Sequence, residues 1–380
     1  MDDFSRQFPQ ASQVITEGLS GPHIGAQIYI SRRGEILADA VIGSARPGVA
    51  MTVDTIMPWL SAGKPLAAVA IGRLIDDGRL KWDDPAAKYL PEFGVKGKEP
   101  VTLRHLLTHT GGFRWADFAI TMPWETIIQR ICAAPLEPRW IVGKTAGYHA
   151  LTSWYILGEI VRRLDPARRT YDQIVREDIF LPLGMDDCWL AMPPRTFEEY
   201  GPRLGLLPAT GTSHPHPIRL DTPEHAAICT PGASARGPIR QLGKFYEMLL
   251  NGGQSTSGKP IISRPTVAEL TRRQRIGAMD LTFKHIVDWG LGFIVNSARY
   301  GEATVPYGFG PFASDETFGH GGSQSSTAFA DPVNGLVVAI VFNGMPGEPA
   351  HHHRLRATLK AIYQDLHLDS SPEAGAGGIP

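Results

Sequence analysis

Cysteine is scarce in this 380-residue chain, which carries three. Cys132, Cys188 and Cys229 are odd in number, widely separated and free of CxxC pairing. That excludes a disulfide framework and a cysteine-built zinc site, and a reduced, cytoplasmic setting is expected. Charge of one sign is also missing. The chain has 37 basic and 38 acidic residues, a formal charge of -1, so it has no electrostatic footprint for nucleic acid. Its longest apolar run is Gly335–Phe342, far short of the ~20 residues a membrane span needs. The opening Met1–Gln7 begins with acids and has no apolar core, so it does not read as a signal peptide.

Several motifs are absent or broken. No GxSxG elbow supplies an α/β-hydrolase nucleophile. Gly143-Lys144-Thr145 has Pro138 where a phosphate loop needs its first glycine, and the Gly253–Lys259 stretch ends in Pro260. His105 and His109 stand at i and i+4 without the glutamate of HExxH, and His351–His353 reads as a solvated helix start. No metal or cofactor is implied, and no repeat is visible.

What remains is an ordinary globular composition, 43% hydrophobic and 20% charged. Residues 24–31 and 35–42 read as strands around an Arg-Arg-Gly turn. Residues 326–330 and 336–342 read as a second hairpin, around Asp331–Gly335. Helical spacing marks 66–74, 103–107, 126–132, 151–164, 242–250 and 353–366. Strands at both ends with a helical middle predict an α/β (α+β) protein. An antiparallel sheet would be built from 1–81 plus 223–367, with a mainly helical subdomain over 82–222 and a disordered tail over 368–380.

The chemistry concentrates at three places. Ser61-Ala62-Gly63-Lys64 precedes a helix over 65–77, and a pair at i and i+3 shares one helical face, so ammonium and hydroxyl can touch. Burial would lower the Lys64 pKa, giving an amine able to take the Ser61 proton. Tyr148, just before the helix from Leu151, supplies a phenol that can relay protons. The glycine-rich turn Gly319-His320-Gly321-Gly322-Ser323 permits close backbone approach. An N–H there, that of Ser323, would join the N–H of Ser61 as an oxyanion hole.

An SxxK, a later tyrosine motif and a late KTG-type triplet together resemble the serine β-lactamases and penicillin-binding proteins, in particular the class C-like esterase and transacylase branch. The resemblance runs from about Gly25 to about Leu366. It includes Val101–Gly112, Leu181–Met185 and Trp289–Phe293. It implies that fold, an acyl-enzyme on Ser61, and Lys64 and Tyr148 as its proton carriers. Two departures stand out. Ala150 occupies the asparagine position of Tyr-x-Asn, and His320 replaces the lysine of KTG. Both argue against β-lactam or peptide substrates and for a small-molecule ester or amide lacking an obligatory carboxylate. His320, Gly321 and Gly322 would line the acyl pocket, with Trp59, Trp115 and Trp154 as candidate walls. Hydrolysis is the first expectation. Transfer to an amine or alcohol acceptor in natural-product tailoring is the second, and a non-catalytic binding protein the third.

Overall fold

The computed structural model describes residues 3–211 and 222–369. Its centre is an antiparallel sheet of eight strands. In chain order these are β1 (Gly25–Arg32), β2 (Glu35–Arg46), β3 (Val49–Ala50), β4 (Asp288–Trp289), β5 (Ile294–Val295), β6 (Phe318–Gly322), β7 (Ser326–Asp331) and β8 (Leu336–Phe342). They lie in the order β3-β2-β1-β8-β7-β6-β5-β4. The two chain ends therefore meet at the middle, where β1 pairs with β8 in a register that sets Ile28 against Ile340 and Ile30 against Val338. Both predicted hairpins form. The first turns through Arg33 and Gly34, both at positive φ.

All seven residues of β8 are buried, because helices cover both faces of the sheet. On one face lie α1 (Pro9–Glu17) and α5 (Glu348–Asp365). Ala11, Ile15, Leu355, Leu359 and Ile362 pack there on Ile28, Ile30, Val338 and Ile340. On the other lie α2 (Pro65–Asp76) and α4 (Ile239–Leu250). Leu242, Phe245 and Tyr246 meet Tyr29, Val337, Ala339 and Val341 there. Successive β residues point to opposite faces, so the unbroken apolar run of β8 serves both layers. Between the two sheet halves the chain forms mainly helices, with α3 (Thr152–Leu164) buried along most of its length.

Three expectations change. Residues 318–322 form the strand β6, paired with both β5 and β7, rather than a turn ahead of a strand. Glycine weakens strand propensity, so the sequence hides a strand whose hydrogen bonds both neighbours supply. Helix α5 begins at Glu348, five residues earlier than its spacing suggested, with Pro349 in its first turn. Consequently the three histidines divide: His353 is exposed and His352 half-buried, whereas His351 is fully buried and receives hydrogen bonds from Arg354 at Nδ1. Of the predicted tail, 370–380 lie outside the described residues.

Candidate active site

The Ser61 turn is held by backbone. Leu60–Gly63 form one 3-10 turn ahead of α2, and Leu60 occupies the left-handed region at φ 51. A non-glycine residue there is strained, and such strain collects where a side chain is being aimed. The Trp59 N–H donates to the Ala235 carbonyl at 2.8 Å, and the Trp59 carbonyl accepts from Ser326 Oγ at 2.7 Å. Gly322 makes this seating possible. A Cβ at that position would lie 2.2 Å from the Trp59 carbonyl oxygen, so β6 can rest on the Ser61 turn only without a side chain.

Lys64 is completely buried. Its Nζ lies 2.8 Å from Ser61 Oγ and donates to the Gly232 carbonyl at 2.6 Å. The rings of Tyr148 and Trp154 sit 5.2 and 5.5 Å from it. No carboxylate pairs with it among the described residues, so burial pulls its pKa well below the usual lysine range. A neutral amine beside a serine hydroxyl is a base in position.

Tyr148 closes the group from the other side. Burial pushes its phenol above the ordinary tyrosine range, while the Ser61 hydroxyl pulls against that rise. It therefore stays protonated at neutral pH, a donor and relay rather than a phenolate. Its main chain is clamped by the turn 280–283. Asp280 Oδ1 accepts from the N–H groups of Tyr148 (3.0 Å), Thr282 (2.9 Å) and Phe283 (3.1 Å). Asp280 Oδ2 accepts from the buried Arg275 at 3.0 Å. Thr282 Oγ1 returns a bond to the Tyr148 carbonyl at 3.0 Å, and the Phe283 ring lies 4.8 Å from the Tyr148 ring.

His320, on β6, is buried with its ring 6.1 Å from Tyr148. Its Nδ1 lies 2.7 Å from the Gly321 carbonyl, so Nδ1 carries the proton and Nε2 is a free acceptor. Burial, with Lys64 nearby, lowers its pKa to about 3, and the ring is neutral at pH 7. The space a side chain would take at Gly321 is filled by the Tyr307 ring, 2.4 Å from the would-be Cβ. Tyr307 in turn donates to Glu348. Both glycines thus admit protein, where the sequence suggested a ligand. Ser323 follows β6, half-buried, with its hydroxyl donating to Glu348 at 3.3 Å.

The fold thus brings together Ser61 and Lys64, Tyr148, and the segment 320–323, from three distant stretches of chain. Of the candidate walls, Trp154 flanks Lys64, Trp59 is core, and Trp115 is exposed. The histidine pair divides. His105 Nδ1 accepts from the Thr102 N–H as a helix cap, whereas His109 is buried 4.7 Å from the Tyr148 ring. His109 Nδ1 accepts from the His149 N–H at 3.0 Å, so it supports the Tyr148 segment. Among the described residues no group of histidine, cysteine and acidic side chains is placed to hold a metal. Sequence reasoning missed Asp280, Arg275 and the Gly232 carbonyl. A lone aspartate between Met279 and Leu281 carries no signal, and a carbonyl never does.

Residues 11–362 match the Beta-lactamase family. Among curated proteins the chain is 27% identical to esterase EstB of Burkholderia gladioli, over 85% of this chain and 88% of that one. It is also 27% identical to the esterase/beta-lactamase LipL of Mycobacterium tuberculosis, over 84% and 77%. Among solved structures, a penicillin-binding protein homolog from Caulobacter crescentus superposes with a TM-score of 0.79 at 30% identity, covering 94% of this chain and 97% of that one. A family VIII carboxylesterase superposes at 0.77 with 27% identity and the same coverage. The match spans nearly all of both sheet halves and the helical segment between them, so the chain belongs to the Beta-lactamase family.

Proposed function

We propose that the protein is a serine hydrolase that cleaves uncharged small-molecule esters through an acyl-enzyme on Ser61. The observation that carries this reading is the buried, unpaired Lys64 amine 2.8 Å from Ser61 Oγ. Lys64 Nζ takes the hydroxyl proton as Oγ attacks the carbonyl carbon, and the N–H groups of Ser61 and Ser323 hold the developing oxyanion. The proton passes from Lys64 through the protonated Tyr148 phenol to the departing alkoxide, which leaves as alcohol. Water enters by the same route in reverse, giving acid and free Ser61. The family relatives named esterases support this chemistry.

Substrate charge follows from the groups at the site. His320 is neutral there and Arg275 is spent on Asp280 and two carbonyls, so among the described residues neither of these two groups is a cation waiting for a carboxylate. Ala150 is exposed and offers no amide hydrogen bond. Esters without a carboxylate fit best, and amides second. Transfer to an amine or alcohol shares every step up to the acyl-enzyme. We further propose the division into a sheet unit (1–81 plus 223–367) and a helical unit (82–222). A cytoplasmic setting is also proposed, in keeping with three free thiols. No helix among the described residues is long and apolar enough to cross a membrane.

Intact-protein mass spectrometry after mixing with p-nitrophenyl esters tests the reading. An acyl adduct on the wild type that Ser61→Ala lacks is expected, decaying in water. Faster decay with added amine marks transfer. Nitrophenol release by Ser61→Ala at the wild-type rate would refute the nucleophile.

A further inference from the structure

A carboxylate stands beside the oxyanion segment and takes no part in the acyl transfer. Glu348 opens the 18-residue helix α5, where the helix dipole favours negative charge. Its Oε1 accepts from Ser323 Oγ at 3.3 Å and from the Tyr307 hydroxyl at 2.8 Å, and its Oε2 lies 2.7 Å from that same hydroxyl. The imidazole in range, His352 with Nε2 at 3.4 Å, is uncharged at neutral pH, because burial lowers its pKa against the pull of Glu348. No lysine or arginine pairs with Glu348 among the described residues. Bonds from neutral hydroxyls fix a carboxylate in place but cancel none of its charge. The full negative charge therefore stays on a side chain that is 45% exposed.

Contacts on two sides carry that charge to the reacting groups. Ser323 adjoins Gly322, and a Cβ on Gly322 would sit 2.2 Å from the Trp59 carbonyl and 3.3 Å from Cβ of Leu60, the residue before Ser61. On the other side the Tyr307 ring lies 6.1 Å from Phe283, whose ring is 4.8 Å from Tyr148. The Tyr148 pKa is raised by burial first, and then by the charges of Asp280 and Glu348, so the carboxylate is felt at the phenol. With an oxyanion ~3 Å from the Ser323 N–H, the Glu348 carboxylate falls within about 9 Å of the reacting carbonyl. At that range, in a partly solvated site, a second negative charge is disfavoured about fivefold. The other charges nearby do not offset it. Lys64 and His320 are neutral, and Asp280 and Arg275 pair with each other.

We propose that Glu348 sets the charge selectivity of the reaction, repelling esters that carry a carboxylate while its hydroxyl bonds hold the Ser323 segment in place. This deepens the ester reading and rests on it for the position of the carbonyl. A missing cation only leaves a carboxylate unassisted, whereas a fixed negative charge excludes it. Half-esters of dicarboxylic acids are the class rejected.

The test compares two matched pairs of esters on the wild type and on Glu348→Gln. One pair, p-nitrophenyl hexanoate and mono-p-nitrophenyl adipate, places the carboxylate on the acyl arm. The other, methyl 4-acetoxybenzoate and 4-acetoxybenzoate, places it on the alcohol arm. Glutamine keeps an oxygen for the Ser323 and Tyr307 hydroxyls, and thermal unfolding checks that the variant folds. The neutral-to-anionic ratio of kcat/KM is expected to fall about fivefold in Glu348→Gln for the arm that passes Ser323, mostly through KM of the anionic ester. Comparing the two proteins cancels the intrinsic reactivity of each ester. In the wild type alone, salt at about 0.5 M should shrink the same ratio. Unchanged ratios in both pairs, or an equal fall of kcat on all four esters, make Glu348 a scaffold residue only and overturn the proposal. So does a wild-type ratio indifferent to salt. If the wild type cleaves none of the four, the ester reading fails, and binding decides the charge rule by itself. Ser61→Ala protein is then titrated calorimetrically with heptan-2-one and 6-oxoheptanoate. Tighter binding of the neutral ketone, with the gap closed by Glu348→Gln, upholds the rule, and a gap that the variant leaves unchanged overturns it.

Discussion

Asp280→Asn is the most informative single change, because it alters charge with almost no change of shape. In the native protein one carboxylate serves four donors: three backbone N–H groups at Oδ1 and Arg275 at Oδ2. Asparagine keeps a carbonyl oxygen for the three N–H groups, but its amide then confronts Arg275 Nη2, donor against donor. Arg275 is itself buried, its pKa lowered to about 10 by burial against the opposing pull of Asp280. Removing one partner of such a buried pair costs about 3–5 kcal/mol. The two carbonyl bonds that Arg275 also makes, to Thr108 and Val287, place the expected loss at the lower end, about 3 kcal/mol. The rate effect arises separately. A shift of about 1 Å in Tyr148 costs up to about 10²-fold, so kcat should drop 10- to 100-fold with KM little changed. Chemical denaturation reads the first quantity, and nitrophenol release reads the second. The Tyr148→Phe background decides whether Asp280 acts through Tyr148, since there Asp280→Asn should slow turnover less than threefold further. Wild-type stability and kcat in Asp280→Asn, or fully additive losses in the double variant, would refute the clamp.

Gly322→Ala should lower activity at least tenfold and stability by about 2–3 kcal/mol, because its Cβ meets the Trp59 carbonyl at 2.2 Å and drives β6 off the Ser61 turn. Denaturation and the ester assay read both, and a wild-type result would remove the seating argument. Stability should also fall in acid. The pKa of His320 is about 3, and those of His149 and His23 about 4, all lowered chiefly by burial from 6.5. Between those values and 6.5 the unfolded chain binds protons that the native one refuses, so stability is present above pH 6.5 and lost toward pH 3–4. Each histidine contributes up to about 1.4 kcal/mol per pH unit in that window. Denaturation at pH 7, 5.5 and 4.5 should show the slope, reduced in His320→Gln. A flat profile would mean that these rings are charged in the native state.

Much of the site is legible from residue order, because Ser61 and Lys64 lie three apart on one helical turn, where local geometry alone brings hydroxyl to amine. Tyr148 and the 319–323 segment are recognisable as motifs. Their meeting with Ser61 depends on the central pairing of β1 with β8, which is long-range. The glycines at 321 and 322 announce a close approach, but what approaches is Tyr307, outside the strand, and Trp59, near the other end of the chain.

By itself the sequence determined what local periodicity and spacing can encode: two terminal hairpins, a helical middle, a serine–lysine pair and the absence of metal, disulfide or membrane motifs. Tertiary structure decided the rest. It made β6 a strand by giving it neighbours, set His351 inside α5, and left His320 uncharged by burial. It also recruited Asp280 as the clamp of a tyrosine 132 residues away. The physical reason is that desolvation and hydrogen-bond satisfaction depend on which groups surround a residue, and those neighbours are chosen only when distant segments pack.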